Sequence, residues 1–140
     1  MKILIINGPN LNLLGKREKL IYGDISFDQY FNDLVKLFPD FNLEYFHSNI
    51  EGELIDKLQV SDEKFEFILL NAGGYSHTSI ALSDCISAIN TDVIEIHISN
   101  IYSREEYRRN SLISKNCKAV VCGFGIHSYK AALSVLEDLT

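Results

Sequence analysis

Short runs of continuous apolar residues alternate along this chain with longer stretches whose apolar residues recur at helical spacing. Residues 3–6 and 67–70 are continuous apolar runs, which are typical of strands covered on both faces. Residues 93–98 and 119–122 predict two more strands. Residues 43–48 mix apolar and polar side chains in alternation, which is typical of a strand at the edge of a sheet. The pattern therefore predicts five strands separated by helices.

Capping residues and apolar periodicity predict where the helices lie. Ser-x-x-Gln or Ser-x-x-Glu pairs indicate helix starts at Ser26, Ser48 and Ser103, the last of them opening a short charged helix. Pro39 ends the first helix. The residues that the periodicity places on the main helices are Phe27, Phe31, Leu34, Val35 and Phe38, then Leu54, Ile55 and Leu58, then Ile80, Ala81, Asp84, Cys85 and Ala88, and finally Ile126, Tyr129, Leu133 and Leu136.

This alternation of strands and helices defines the expected fold class. Short connections between β and α units predict a parallel sheet with helices on both faces, joined by right-handed crossovers. Five such units fit a flavodoxin-like, doubly wound five-stranded α/β sheet with strand order 2-1-3-4-5. No low-complexity tract, repeat or linker interrupts residues 1–140, so we predict a single domain.

Charge, the first residues and the cysteines indicate which binding partners and which cellular compartment to expect. A net charge of −6 argues against a nucleic-acid or anionic-membrane partner. Met1 is followed by one lysine and only four apolar residues before Asn7, too few for a signal peptide or a membrane span. Cys85, Cys117 and Cys122 are odd in number and lack metal-type spacing, which favours reduced thiols. We therefore expect a cytoplasmic protein.

Polar residues gather where the predicted strands end. Ligands of open α/β sheets bind beyond the carboxyl ends of the strands, and here those ends are residues 7–10, 71–77, 97–100 and 123–127. Three of the four histidines fall in this set, whereas His47 lies in the edge strand and is expected to be structural. The first loop carries Asn10, Arg17 and Tyr22, either as a ligand-facing loop or as an ordinary βα connection with incidental polar residues.

The arginines point to an anionic ligand. The chain has four, Arg17, Arg104, Arg108 and Arg109, while its lysines are scattered. A guanidinium is a rigid, permanently charged group suited to carboxylates. The alternative is a solvated helical face in which Glu105 and Glu106 neutralise the arginines.

Several familiar motifs are excluded. Residues 8–16 resemble a P-loop, but the glycine spacing is too long and Arg17 replaces the Ser or Thr that would hold magnesium. Gly123 and Gly125 lack the third glycine of a dinucleotide fingerprint. No His, Cys or carboxylate cluster has metal-type spacing, and no strand-interior lysine is placed for a Schiff base. Tyr, His, Asn and Arg remain, which indicates proton transfer and anion binding without a cofactor.

At this point a family resemblance is visible. The residues that carry it are Asn7-Gly-Pro-Asn-Leu-Asn-Leu-Leu-Gly15, Arg17-Glu18, Tyr22-Gly23, Asn71-Ala-Gly-Gly-x-x-His-Thr-Ser79, Glu95-Ile-His-Ile-Ser-Asn100 and Arg104-Glu-Glu-x-Arg-Arg109. Together, over essentially the whole chain, they resemble the type II 3-dehydroquinate dehydratases. The resemblance implies a flavodoxin-like enzyme that converts 3-dehydroquinate to 3-dehydroshikimate and water, in the shikimate pathway or in quinate breakdown. It also implies that the enzyme uses no cofactor or metal and forms a homododecamer built from trimers.

The resemblance also implies roles for individual residues. Tyr22 matches the base, with Arg17 favouring its phenolate, and His97 matches the general acid that protonates the leaving hydroxyl. Asn10 matches the residue that steadies the enolate oxygen, and Glu95 is placed to orient His97. The positions that match substrate contacts are the backbone N–H groups of Ile98 and Ser99, the side chains of Asn71, His77 and Arg108, and Asp84, which in this family reaches a neighbouring subunit's site.

Two departures from the family pattern stand out. Lys19 and Leu20 occupy a predicted lid where many relatives have proline, and His127 stands where a glutamine or a small residue is common. Three interpretations of His127 stay open: it contacts the site, it contacts another subunit, or it does neither. Two other functions remain on the same fold: a flavin or nucleotide carrier, which would need a hydroxyl-rich phosphate loop, and a non-catalytic binding protein.

Overall fold

Five strands form one parallel sheet in the part of the chain that the structure describes. The structure is a computed structural model, and it describes residues 1–16, 20 and 24–139. The strands are β1 (Lys2–Asn7), β2 (Asn42–His47), β3 (Phe67–Asn71), β4 (Asp92–His97) and β5 (Ala119–Cys122). Their order is β2-β1-β3-β4-β5, and every neighbouring pair is parallel. The predicted strand order is confirmed, and the mixed strand, β2, lies at an edge.

Helices cover both faces of the sheet, as predicted. They are α1 (Phe27–Leu37), α2 (Glu51–Ser61), α3 (Ile80–Ala88) and α4 (Ser128–Asp138). Successive side chains of a strand point to opposite faces, so Ile3 and Ile5 pack with α1 and α4 while Leu4 and Ile6 pack with α2 and α3. Residues 3–6 of β1 and 67–70 of β3 are continuously apolar because both faces of these strands are buried. None of the described helices combines the length and apolar character that crossing a bilayer requires.

The three predicted capping pairs have different outcomes. Ser26 caps α1, accepting from the Gln29 N–H at 3.3 Å, and the Gln29 side chain accepts in return from the Ser26 N–H at 3.4 Å. The prediction that Ser48 and Glu51 form a capping pair is wrong. Ile50 occupies the N-cap of α2, and the Ser48 hydroxyl bonds Ile50 and Glu53.

The helix predicted from Ser103 is also wrong. Residues 98–118 connect β4 to β5 without an α-helix, through short 3₁₀ turns at Ile101–Ser103, Glu106–Arg108 and Ser114–Asn116. The Ser103 hydroxyl donates back to the Asn100 carbonyl at 2.9 Å instead of capping a helix. The local hydroxyl competes with helix formation in this way because it satisfies a backbone group in a turn.

A buried tyrosine fixes the carboxyl ends of β1 and β3. Tyr129 on α4 is fully buried, and its hydroxyl donates to Asn7 Oδ1 at 2.7 Å while accepting from Asn71 Nδ2 at 2.8 Å. Asn7 and Asn71 are paired neighbours in the sheet. Burial raises the pKa of Tyr129, so its hydroxyl stays protonated and can make both bonds. The two strand ends from which ligand-facing loops depart are therefore held by one side chain.

Removing this hydroxyl should destabilise the fold. Tyr129→Phe leaves buried polar groups of Asn7 and Asn71 without their partner, which costs about 1–3 kcal/mol for a buried unsatisfied group. We expect a loss of that order in the free energy of unfolding, measured by urea denaturation. Tyr102→Phe is the matched control because Tyr102 is 61% exposed. Equal stabilities for the two variants would contradict this role of Tyr129.

Candidate active site

A cleft opens at the carboxyl ends of β1, β3 and β4. Its lining residues are Pro9, Asn10, Leu11, Leu14, Asn71, Gly73, Gly74, His77, His97, Ile98, Ser99, Ile101, Arg104 and Arg108. The cleft thus brings together seven of the predicted site residues, which are Asn10, Asn71, His77, His97, Ile98, Ser99 and Arg108.

The other three predicted site residues are Asp84, Arg17 and Tyr22. Asp84 lies exposed on α3, outside the cleft of its own chain. Arg17 and Tyr22 lie outside the described residues. The wall also contains Arg104, which the sequence flagged only as one of several arginines, and apolar residues such as Leu14 that no site motif indicated.

His97 is held by a buried carboxylate. Glu95 and His97 are two residues apart on β4 and therefore share a face of the sheet. Glu95 is fully buried and His97 is 5% exposed, and His97 Nε2 hydrogen-bonds Glu95 Oε2. The Ser114 hydroxyl donates to the other carboxylate oxygen, Oε1. Because Nε2 is engaged, Nδ1 is the ring nitrogen of His97 that can exchange a proton with a ligand.

The Glu95 carboxylate is ionised despite its burial. Burial by itself would raise the pKa of Glu95, but hydrogen bonds from His97 and Ser114 favour the charged form and hold the pKa below its usual range. A carboxylate in this position orients the imidazole and places a negative charge beside it. The pair can therefore supply a proton donor to the cleft.

His77 is suited to a different task. Its Nδ1 donates to the Asn110 carbonyl at 3.1 Å, and its ring stacks on that of His97 with centroids 5.9 Å apart. Burial lowers the pKa of His77, and the nearby positive groups of His97 and Arg108 lower it further. His77 is therefore neutral at pH 7, with Nε2 left as a hydrogen-bond acceptor for a ligand hydroxyl.

Two asparagines, Asn10 and Asn71, also line the cleft. Asn71 is fixed through Tyr129, and its Oδ1 accepts from the Gly73 N–H at 3.2 Å. Asn10 precedes the 3₁₀ helix Leu11–Leu13 and has a left-handed backbone, with φ 70°. The loops that carry Asn10 and Asn71 touch at Gly8, where a Cβ atom would lie 2.7 Å from the Ala72 carbonyl oxygen. A larger residue at Gly8 would force these two loops apart.

Arginines make one end of the cleft cationic. Arg104 Nη1 donates to Ser99 Oγ at 3.3 Å, and Arg108 Nε donates to Glu105 Oε2 at 2.7 Å. Arg109, in contrast, is exposed and does not line the cleft. The alternative of a charged face neutralised by glutamate therefore holds in part, because Glu105 Oε2 bonds Arg108 and lies 3.8 Å from Arg104 Nε, while both arginines also line the cleft. The arrangement suits a ligand that carries a carboxylate.

The remaining histidines lie elsewhere. His127 is exposed and borders a second cavity beside Tyr30, with ring centroids 5.7 Å apart. His47 ends the edge strand β2. Among the described residues, no group of three His, Cys, Asp or Glu side chains could hold a metal ion. The cleft residues thus supply a proton donor, hydrogen-bonding groups and positive charge.

Comparisons with known proteins agree on one family. The model of the family described as dehydroquinase class II matches residues 1–137. The chain is 49% identical to 3-dehydroquinate dehydratase 1 of Agrobacterium fabrum, over 99% of this chain and 97% of that protein. It is 47% identical to 3-dehydroquinate dehydratase of Caldicellulosiruptor bescii, with the same coverage. The crystal structure of type II dehydroquinase from Butyrivibrio crossotus superposes with a TM-score of 0.93 at 38% identity, covering 98% of this chain and 97% of the other.

Acid should weaken the fold partly through Glu95. Because its folded-state pKa lies below the ordinary value of 4.5, ionised Glu95 stabilises the fold above that value, and this stability is lost as pH falls through the folded-state pKa. Between about pH 6 and 3 we expect the free energy of unfolding to fall more steeply for the wild type than for Glu95→Gln. The difference in slope is at most about 1.4 kcal/mol per pH unit.

Urea denaturation at several pH values measures both slopes. Glu106→Gln makes the same change of charge at an exposed position and should keep the wild-type slope. Identical slopes for the wild type and Glu95→Gln would contradict the assignment.

Proposed function

The chain belongs to the class II dehydroquinase family of hydro-lyases, and we propose that it removes water from 3-dehydroquinate to give 3-dehydroshikimate. The observation that carries this proposal is the buried Glu95–His97 pair in a cleft that also contains Arg104 and Arg108. The substrate is a β-hydroxy ketone with a carboxylate, and the cleft offers a proton donor for the hydroxyl and positive charge for the carboxylate.

The substrate carboxylate is bound at the end of β4. We assign it to the backbone N–H groups of Ile98 and Ser99, with the guanidinium of Arg108 nearby in the same cleft. Asn71 and His77 are assigned to the substrate hydroxyls, since a neutral His77 can accept a hydrogen bond. These contacts fix the ring so that its reacting carbons face the two groups that move protons.

Tyr22 is the base that removes the proton next to the ketone. A tyrosine has an ordinary pKa of about 10, so the phenolate that acts as the base must be favoured by nearby positive charge. A shift of about two units requires roughly 2.7 kcal/mol of differential interaction. Arg17, five residues earlier in the sequence, and Arg108 are the proposed sources of this charge.

When the Tyr22 phenolate takes the proton, the electron pair of the broken C–H bond moves to the ketone oxygen and gives an enolate, which Asn10 stabilises. The enolate then expels the hydroxyl on the opposite face of the ring, in an anti elimination. His97 donates a proton to this hydroxyl, which leaves as water, and Glu95 holds the histidine in place for the transfer. Every step is a proton transfer or a charge-stabilising contact, so the reaction proceeds without a cofactor.

We further propose that the enzyme acts in the cytoplasm, in the shikimate pathway that leads to aromatic amino acids, and that it forms a homododecamer built from trimers. The position of Asp84 supports the proposal that several subunits assemble. It is exposed on α3 and lies outside its own cleft, so it can reach a substrate only in the cleft of a neighbouring subunit.

The reaction is tested by adding 3-dehydroquinate to protein dialysed against a chelator and following the ultraviolet absorbance of the conjugated enone. The wild type should produce this absorbance, and Tyr22→Phe should lower kcat by about 10²–10⁴-fold because a general base is lost. Tyr102→Phe, at an exposed tyrosine outside the cleft, should retain activity. No absorbance change with the wild type would disprove the function, and full activity of Tyr22→Phe would disprove the base.

Sharing of Asp84 between subunits is tested by complementation. Asp84→Ala should lower kcat/KM by about tenfold, the order expected for one lost polar contact. Co-expression of Asp84→Ala with Tyr22→Phe subunits creates sites that have both Tyr22 and a neighbour's Asp84. Such mixed oligomers should be more active than the sum of the two purified variants. Activity no greater than that sum would place Asp84 outside any shared site.

A further inference from the structure

Asn49, which lies outside the cleft, holds the backbone of Asn10. It follows β2 in the chain, is exposed, and does not line the cleft. Its side-chain oxygen Oδ1 accepts a hydrogen bond from the Asn10 backbone N–H at 2.9 Å, although the two residues are 39 positions apart. The proposed roles of the cleft residues leave this contact without a function.

The backbone of Asn10 is in a conformation that depends on such support. With φ 70° and ψ −4°, Asn10 is in the left-handed region, which residues other than glycine adopt uncommonly and which asparagine tolerates better than most. Among the described non-glycine residues only Glu63 shares a positive φ. The Asn10 carbonyl accepts from the Leu13 N–H at 3.0 Å, and its N–H donates to Asn49. The two bonds together fix the peptide groups on both sides of Asn10, and hence the direction of its side chain.

Asn49 is itself held by a bond of the preceding residue and by a bond to its own carbonyl. The N–H of Ser48 donates to the Asn7 carbonyl at 3.1 Å, which extends the β1–β2 ladder by one residue. The Asn49 carbonyl accepts from the Tyr75 hydroxyl at 3.2 Å. Tyr75 belongs to the 3₁₀ helix Gly73–His77, whose last residue is His77 of the cleft wall. Asn49 therefore joins the loop that carries Asn10 to the turn that carries His77.

We propose that Asn49 is a positioning residue that sets the Asn10 side chain against the enolate oxygen. This inference rests on the proposed function, in which Asn10 acts on the enolate. Negative charge develops on that oxygen only as the proton is removed, so a misplaced Asn10 weakens the transition state more than the bound substrate. Loss of the Asn49 oxygen should accordingly change kcat and leave KM nearly unchanged.

Three variants separate positioning from a general effect on the loop. Asn49→Ala removes the acceptor and should lower kcat by about 10–100-fold, the cost expected for a small misplacement of a catalytic group, with KM within about threefold of wild type. Asn49→Asp keeps a side-chain oxygen in the same place and should restore most of kcat. Asn42→Ala, an exposed asparagine at the other end of β2, is the matched control and should behave as wild type.

A double-mutant cycle shows whether Asn49 acts through Asn10. In an Asn10→Ala background the further change Asn49→Ala should cost little additional kcat, because its target is already absent. Fully additive losses, a wild-type kcat for Asn49→Ala, or no rescue by Asn49→Asp would each overturn the inference. If Asn49→Ala does not fold, Asn49→Ser, whose hydroxyl is too short to reach Asn10, takes its place with the same expected loss.

The assay also separates this inference from the function on which it rests. A wild-type protein that does not convert 3-dehydroquinate disproves both. A wild-type protein that converts it, together with an Asn49→Ala variant of equal kcat, disproves only the role of Asn49.

Discussion

The buried negative charge of Glu95 is the constraint on which the site depends. A carboxylate without solvent contact is costly unless donors satisfy it, so His97 and Ser114 must occupy their positions whenever the fold is complete. This requirement acts on the least regular part of the chain, because Ser114 lies in the connection from β4 to β5 that has no α-helix. Elsewhere in the sheet a packed helix fixes the connection between two strands. Between β4 and β5 the Glu95 carboxylate fixes the connection, which supplies Arg104 and Arg108 to the cleft.

The strands and the sheet order could be predicted because buried parallel strands have a simple signature. Residues 3–6 and 67–70 are apolar on every position, as strands covered on both faces must be. Local capping was predictable only where nothing competed with it. Ser26 has its reciprocal partner three residues away, whereas Ser48 and Ser103 bond groups in turns that the pattern Ser-x-x-Glu does not describe. A motif of four residues does not show which of several nearby groups the serine hydroxyl will bond.

The position of the cleft could be predicted from the topology of the sheet. The hydrogen bonds that hold the cleft residues in place could not be predicted. Parallel strands end at one edge of the sheet, so residues such as Asn71 and His97 that follow strand ends must lie near one another. Tyr129 holds Asn71 from 58 positions away, and Asn49 holds Asn10 from 39 positions away. Ser114 bonds Glu95, the partner of His97, from 19 positions away. Tyr129 matched the apolar stripe of a helix, which gives no indication of the bonds that its hydroxyl makes. Hydrogen bonds of this range have no period in the sequence, and only the folded backbone reveals them.

Such long-range supports tie the formation of the site to completion of the sheet. Asn10 has an unfavourable backbone, with a cost on the order of 1 kcal/mol, and the bond that compensates comes from the end of β2. That bond can form only once β2 has paired with β1, because the Ser48 N–H reaches the Asn7 carbonyl in the same ladder. The same holds for Asn71, whose partner Tyr129 arrives with the last helix. The geometry of the cleft therefore depends on contacts that span most of the chain. The strands determine the positions of the cleft residues, and contacts from other elements determine the orientations of their side chains.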